Sequence, residues 1–247
     1  MASVHGGPVA GLAAQLVLLL VLSGTVGLGA TGWLLGVAYG LVTAVALARG
    51  LAGHEMPGLG AANRVTLTRA VLVGGVTALA AGGWAGPTGR VLLSLTGVAL
   101  ALDALDGWVA RRTGTVSALG GRFDMEVDAF LLLVLSILVA RWAGAWVLLI
   151  GAARYLFVLA GWLRPWMRRT LPARPWRKVV TATQGVVLTA NVVPRGPRWV
   201  LVLALTVAWG MLAESFGRDV WWLWVRREPL GDPALEGVPA AMAPNDA

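Results

Sequence analysis

Long apolar runs recur along this chain from residue 8 to residue 216, and several approach the ~20 residues that cross a bilayer as a helix. In lipid every backbone N–H and C=O must be satisfied within the fold, so runs of this length predict helices. Eight spans are expected, at about 9–28, 31–48, 68–85, 90–111, 125–142, 145–162, 179–194 and 198–216. Only 13% of the residues are charged, against roughly 25% in a soluble domain. No stretch is polar enough to form a separate soluble domain. The expected fold class is all-α: a polytopic integral membrane protein with a six-helix core and an added N-terminal two-helix hairpin.

Charge orients these spans. Arg49, Arg64 and Arg69 fall between spans two and three, and Arg111, Arg112 and Arg122 between four and five. Arg164, Arg168, Arg169, Arg174, Arg177 and Lys178 fall between six and seven, and Arg218, Arg226 and Arg227 after span eight. The alternate loops carry fewer basic residues. The positive-inside rule then places both termini and the 103–128 stretch toward the cytoplasm. The 19 Arg against one Lys suit a GC-rich bacterial genome, so a bacterial cytoplasmic membrane is expected. The net charge of +8 fits loop arginines against anionic lipid. Nucleic acid is not an expected partner, because no soluble basic domain exists to bind it. The absence of cysteine excludes disulfides and thiolate metal sites.

The N-terminal run lacks the basic start of a signal peptide and is expected as a retained helix. Gly32, Gly36 and Gly40 recur every four residues, a spacing that lets another helix come close. They suit packing within the chain or a dimer contact. The polar segment 49–68 is expected to include a short helix on the membrane surface before span three. Trp221, Trp222 and Trp224 suit an interfacial anchor, and the tail from Glu228 is expected to be disordered. The expected division is 1–50 hairpin, 51–218 core, and 219–247 tryptophan segment and tail.

Against this apolar background, residues 103–128 hold five carboxylates: Asp103, Asp106, Asp124, Glu126 and Asp128. An ionisable residue within a span costs ~2.5–3.5 kcal/mol at a helix centre, so each needs a reason to be there. Asp103 and Asp106 are three apart and share one helix face with Gly107 and Ala110. Asp124 and Asp128 are four apart and share another, while Glu126 points about 200° away from Asp124. Four carboxylates brought together repel, and something positive must compensate. With oxygen donors and no nearby His, a hard divalent ion suits the site, and two ions suit four carboxylates. Salt bridges from Arg111, Arg112 and Arg122, or a cation pathway in a transporter, would also account for them.

The pattern Asp103-x2-Asp106-Gly107-x2-Ala110-Arg111-x8-Gly120-x3-Asp124-x3-Asp128 resembles the signature of the CDP-alcohol phosphatidyltransferase family at every position. The remainder, about 61–216, is similar to that family's six-helix core. The resemblance implies transfer of a substituted phosphate from a CDP-linked lipid donor, commonly CDP-diacylglycerol, to a hydroxyl acceptor with release of CMP. It implies two Mg²⁺ or Mn²⁺ ions on Asp103, Asp106, Asp124 and Asp128, with Asp128 also the base for the acceptor hydroxyl. It gives Gly107 and Ala110 the space for the nucleotide, Arg111 the site or its phosphates, and Gly120 the turn into the next helix. Members are often homodimers.

Two flanking segments extend the likeness. Asn63, Thr66 and Arg69 in NRVTLTR stand three apart and are candidates to face the nucleotide, or else Arg69 faces lipid. RKVVTATQ (177–184) is similar to a segment of phosphatidylglycerophosphate synthases at Lys178, Thr181 and Gln184, but Arg177 and Val180 depart from it. Arg154, within span six, is a candidate for a substrate phosphate, or else it snorkels or pairs with an acid such as Asp124. His5 and His54 lie in polar flanks and are not expected to be catalytic. A cation-coupled transporter and an inactive membrane scaffold are the rival readings; the first does not explain Gly107, Ala110 and Gly120 at their required gaps, and the four intact aspartates argue against the second.

Overall fold

A computed structural model describes residues 6–53, 61–82, 86–113, 118–169, 171–172 and 174–227; side chains are described within these except at 53, 61–63, 106–113, 118–119 and 175. Among the described residues there are eight α-helices and no strands: α1 (Gly6–Thr25), α2 (Ala30–Gly53), α3 (Ala61–Ala80), α4 (Gly86–Thr113), α5 (Ala118–Ala143), α6 (Leu148–Leu163), α7 (Pro175–Val192) and α8 (Arg198–Val225). The fold is therefore an all-α membrane protein, with one helix at each expected span. His5, His54 and the tail from Glu228 lie outside the described residues.

Five helical segments are long and apolar enough to cross a membrane: Gly6–Thr25, Ala30–Ala52, Gly86–Leu105, Ala145–Leu163 and Arg198–Val225. The helices α3, α5 and α7 fall short of that measure among the described residues. Each carries charge within its length: Arg64 and Arg69 on α3, Asp124, Glu126, Asp128 and Arg141 on α5, Arg177 and Lys178 on α7. These are helices that need partners inside the protein, because lipid offers none.

Packing follows from that need. The central helix is α3, which touches α1, α2, α4 and α5. The α1–α2 hairpin turns at Gly27, whose φ of 75° a side chain rarely adopts. Its small residues face the chain itself: a Cβ on Gly32 would lie 2.7 Å from the Ala78 carbonyl on α3, and one on Gly36 2.6 Å from Leu19 on α1. The glycine repeat thus serves close approach within one molecule. Tyr39 of α2 stacks on Phe130 of α5 at 4.7 Å, which joins the hairpin to the core. The core proper runs through Val73, Val76, Leu79, Leu92, Val127, Leu131, Leu135, Leu138 and Leu188, all buried.

Several boundaries differ from expectation, among them α2, which runs to Gly53, and α5, which starts at Ala118. Residues 61–68 are not a separate surface helix; they are the first two turns of α3, with no glycine or proline to interrupt them before Gly74. The helix α4 continues to Thr113. The helix α8 continues nine residues past 216 to Val225, so the tryptophan segment is helical and its first following proline is Pro229.

Candidate active site

Arg69 stands two turns into α3 and is 1% exposed, although no acid lies three or four residues away on its own helix. A buried guanidinium needs carboxylates, and other helices supply them. Its Nη1 donates to Asp103 of α4 at 2.7 Å and to Asp124 of α5 at 2.6 Å, and its Nη2 donates to Asp128 of α5. The fixed fork of guanidinium donors can serve three acceptors at once, which an ammonium of one point charge does less well. Asp124 and Asp128, one turn apart, present to the same neighbour as their spacing predicts.

The three carboxylate side chains are 39%, 32% and 23% exposed, whereas Arg69 is covered. The guanidinium is the floor of the site and the aspartates form its mouth. One oxygen from each of Asp103, Asp124 and Asp128 lies within 4.8 Å of the others. Three carboxylates against one guanidinium leave these four side chains with a formal excess of negative charge. An all-oxygen, acid-rich cluster of this span fits a hard divalent cation. The arrangement thus brings together Asp103, Asp124, Asp128 and Arg69. It removes the lipid-facing alternative for Arg69.

The remaining candidates are distributed around this centre. Asp106, Gly107, Ala110 and Arg111 lie in the last turns of α4 and Asn63 in the first turn of α3; their side chains are not among those described. Thr66 lies one turn before Arg69 and is buried at 2% exposure, so the two share the inward face of α3. Gly120 is buried in the first turn of α5. Arg122 is exposed and makes no ion pair with the aspartates among the described residues; Arg69 takes the place that sequence spacing offered to it. Arg154 does not reach Asp124. It pairs with Glu126, on the side of α5 turned away from the cluster.

Lys178 is exposed at the start of α7 and makes no ion pair among the described residues. Other members of its segment turn toward α8. Gln184, fully buried, donates to the Ala208 carbonyl at 2.7 Å, and Arg177 donates to Asp219 at 2.8 Å. Asp219, 6% exposed, was not legible as a site from the acidic stretch, which it lies far beyond. One signal marks both Arg69 and Asp219: each is a charge in a helical run with no opposite charge three or four residues away, so its partner must sit on another helix.

The fold and this centre define a class, a helical membrane protein with an acidic cluster built across α3, α4 and α5. The sequence model of the family described as CDP-alcohol phosphatidyltransferase matches residues 59–212, and the chain belongs to that family. The match spans α3 to most of α8 and leaves the hairpin outside. No curated protein and no solved structure matches the chain. Membership implies a phosphotransferase that takes a CDP-alcohol donor and a hydroxyl acceptor, and the family is typically dependent on a divalent metal.

Proposed function

We propose that this protein transfers the phosphatidyl group of a CDP-linked lipid, with CDP-diacylglycerol the first candidate, to a hydroxyl acceptor in phospholipid synthesis. The observation that carries the reading is the meeting of Asp103, Asp124 and Asp128, three aspartates of the family signature, within 4.8 Å at a partly open mouth. Asp106 is the fourth ligand on this reading, and two Mg²⁺ or Mn²⁺ ions are held by the four. When bound, the ions neutralise the donor pyrophosphate and the charge that develops on CMP.

The chain's own residues have separate tasks. Asp128 is the base: it takes the proton as the acceptor oxygen forms its bond to the donor's lipid-side phosphorus. The bond from that phosphorus to the CMP oxygen breaks, and its electron pair leaves with CMP. Arg69 holds Asp103, Asp124 and Asp128 in one orientation before substrate arrives, so little reorganisation remains for the reacting complex. Gly107 and Ala110 leave room for the nucleotide, and Arg111, Asn63, Thr66 and Gly120 support it from the same end of α3, α4 and α5. Lys178, exposed at the start of α7, is the candidate for a substrate phosphate, while Arg154 is committed to Glu126. The basic loops set the active site and both termini on the cytoplasmic side, where CDP-linked substrates are made. Residues 51–218 form the catalytic core, with 1–50 and 219–247 as additions to it, and the protein works as a homodimer.

The test is CMP release by detergent-purified protein supplied with CDP-diacylglycerol, Mg²⁺ or Mn²⁺, and a panel of soluble and lipid hydroxyl acceptors. Metal-dependent release with one acceptor, lost in Asp128→Asn, is expected. Failure with CDP-diacylglycerol and with soluble CDP-alcohols, while reconstituted vesicles show ion flux, would overturn the reading in favour of a transporter.

A further inference from the structure

A second mixed-charge cluster lies where α7 meets α8, and shares no residue with the aspartate site. Asp219 is buried and receives Arg177 at 2.8 Å, with Arg174 at 3.9 Å. Here the excess is positive. Beside it an open groove of about 480 Å³ is lined by Arg174, by Arg218 and Arg226, and by the apolar Trp221, Trp222 and Val225 interleaved with them along α8. Arg226 lies over the Trp222 ring at 4.3 Å from its centroid, which fixes its guanidinium without using its fork. Arg169, after α6, donates to the Arg226 carbonyl and ties the end of α8 to that loop. The Nε of Arg177 is buried and has no hydrogen-bond partner among the described residues.

Three guanidiniums around one opening are matched to a phosphate, which they meet by charge-assisted, often bidentate hydrogen bonds. The apolar lining narrows the choice of phosphate. Trp221 is 64% exposed and Val225 58% exposed, at the end of a helix apolar enough to cross a membrane. Exposed tryptophan beside arginine at such a helix end suits the headgroup level of a bilayer. Gly217 also lines the groove, and a Cβ there would meet nothing within 4 Å, so the groove is open at its base.

We propose that this groove binds an anionic phospholipid, with the headgroup phosphate between Arg174, Arg218 and Arg226 and the upper acyl chain against Trp221 and Val225. The inference is independent of the reaction at the aspartates. It gives the protein a docking point for a lipid that is not the one being transferred.

The experiment is native mass spectrometry of the full chain in detergent with EDTA, offered equal phosphatidylglycerol and phosphatidylcholine. Preferential retention of phosphatidylglycerol is expected, unchanged in Asp128→Asn. It should fall roughly tenfold in Arg226→Gln, the loss of one charge-assisted contact. Because Arg226→Gln also removes the stacking on Trp222, Gly217→Leu is the second variant: it fills the groove, keeps every charge, and should lose the same preference. Dibrominated phosphatidylglycerol should quench the wild-type fluorescence more than it quenches Trp221→Phe. Equal retention of the two lipids, or a preference that survives both variants, would overturn the proposal. Displacement of the lipid by glycerol phosphate alone would reassign the groove to a soluble phosphate. Stronger retention in full-length Glu228→Gln/Asp232→Asn, with no preference in the wild type, would assign the groove to the acidic tail instead.

Discussion

The cluster at α3–α5 and the cluster at α7–α8 are built on the same plan with opposite signs. In the first, one buried arginine meets three aspartates that are 23–39% exposed. In the second, one buried aspartate meets two arginines that are 30% and 31% exposed. The minority charge is the hub in both, and the majority charge lies nearer the surface. A hub of one sign cannot leave the protein interior without stranding itself, so it fixes the helices. The rim is in excess, negative at the first cluster and positive at the second. On the two proposals above, cations approach the first and an anionic headgroup the groove beside the second.

The largest expected effect tests the rim of the first cluster. Asp128→Asn should lower CMP release roughly 10²–10⁴-fold, the usual worth of a positioned base. Its melting temperature in detergent should hold or rise, since one of three crowded carboxylates is neutralised. A variant that kept its rate would break the assignment of Asp128 and leave the metal site standing. The hub gives the next effect. Arg69→Met removes the buried guanidinium and should cost about 3–5 kcal/mol of stability, read by thermal or denaturant unfolding. Mg²⁺ or Mn²⁺ should restore part of this loss in Arg69→Met, and restore more than it adds to the wild type. Equal stabilisation of both proteins by metal would mean that guanidinium and ion do not share the same carboxylates.

The helices themselves were readable from apolar runs, because a bilayer fixes their length and the backbone's needs fix their type. The Asp124–Asp128 spacing also gave the correct face pair, and Glu126 turns to Arg154 instead of the cluster. What periodicity cannot supply is the identity of the helix that a face meets. Arg69 was visible as a charge in an apolar run, but its place among all three aspartates depends on α3 lying between α4 and α5. The same limit hid Asp219, which looked like one acid near a tryptophan anchor until α7 brought Arg177 beside it. Helix ends were lost for a simpler reason. With no proline between residues 198 and 228, nothing local marks where α8 leaves the apolar layer, and it continues to Val225.

The hub of the second cluster should respond more weakly than Arg69. Asp219→Asn strands two arginines, one of them 3.9 Å away, where Arg69→Met strands three carboxylates that crowd one another. A loss of about 1–3 kcal/mol in unfolding is expected. Retention of phosphatidylglycerol should rise in the same variant, because Arg174, which lines the groove, loses the buried anion beside it. A drop in retention would mean that Asp219 orients the arginines more than it competes for them, and the parallel with Arg69 would then hold for structure and fail for binding.

The smallest effect sharpens the comparison most. Glu214 and Arg218 form an exposed pair four residues apart on α8, at 2.9 Å, with side chains 43% and 61% exposed. Pairs of this kind contribute little to stability, so Glu214→Gln should leave the melting temperature unmoved. Arg218 also lines the groove, and Glu214 engages it there as an anion would. Its removal should therefore raise phosphatidylglycerol retention modestly while the fold, the aspartate cluster and CMP release stay as they were. A binding change without a stability change is the signature of a rim residue. If both stay flat, Arg218 is a surface charge, and Arg174 and Arg226 carry the groove without it.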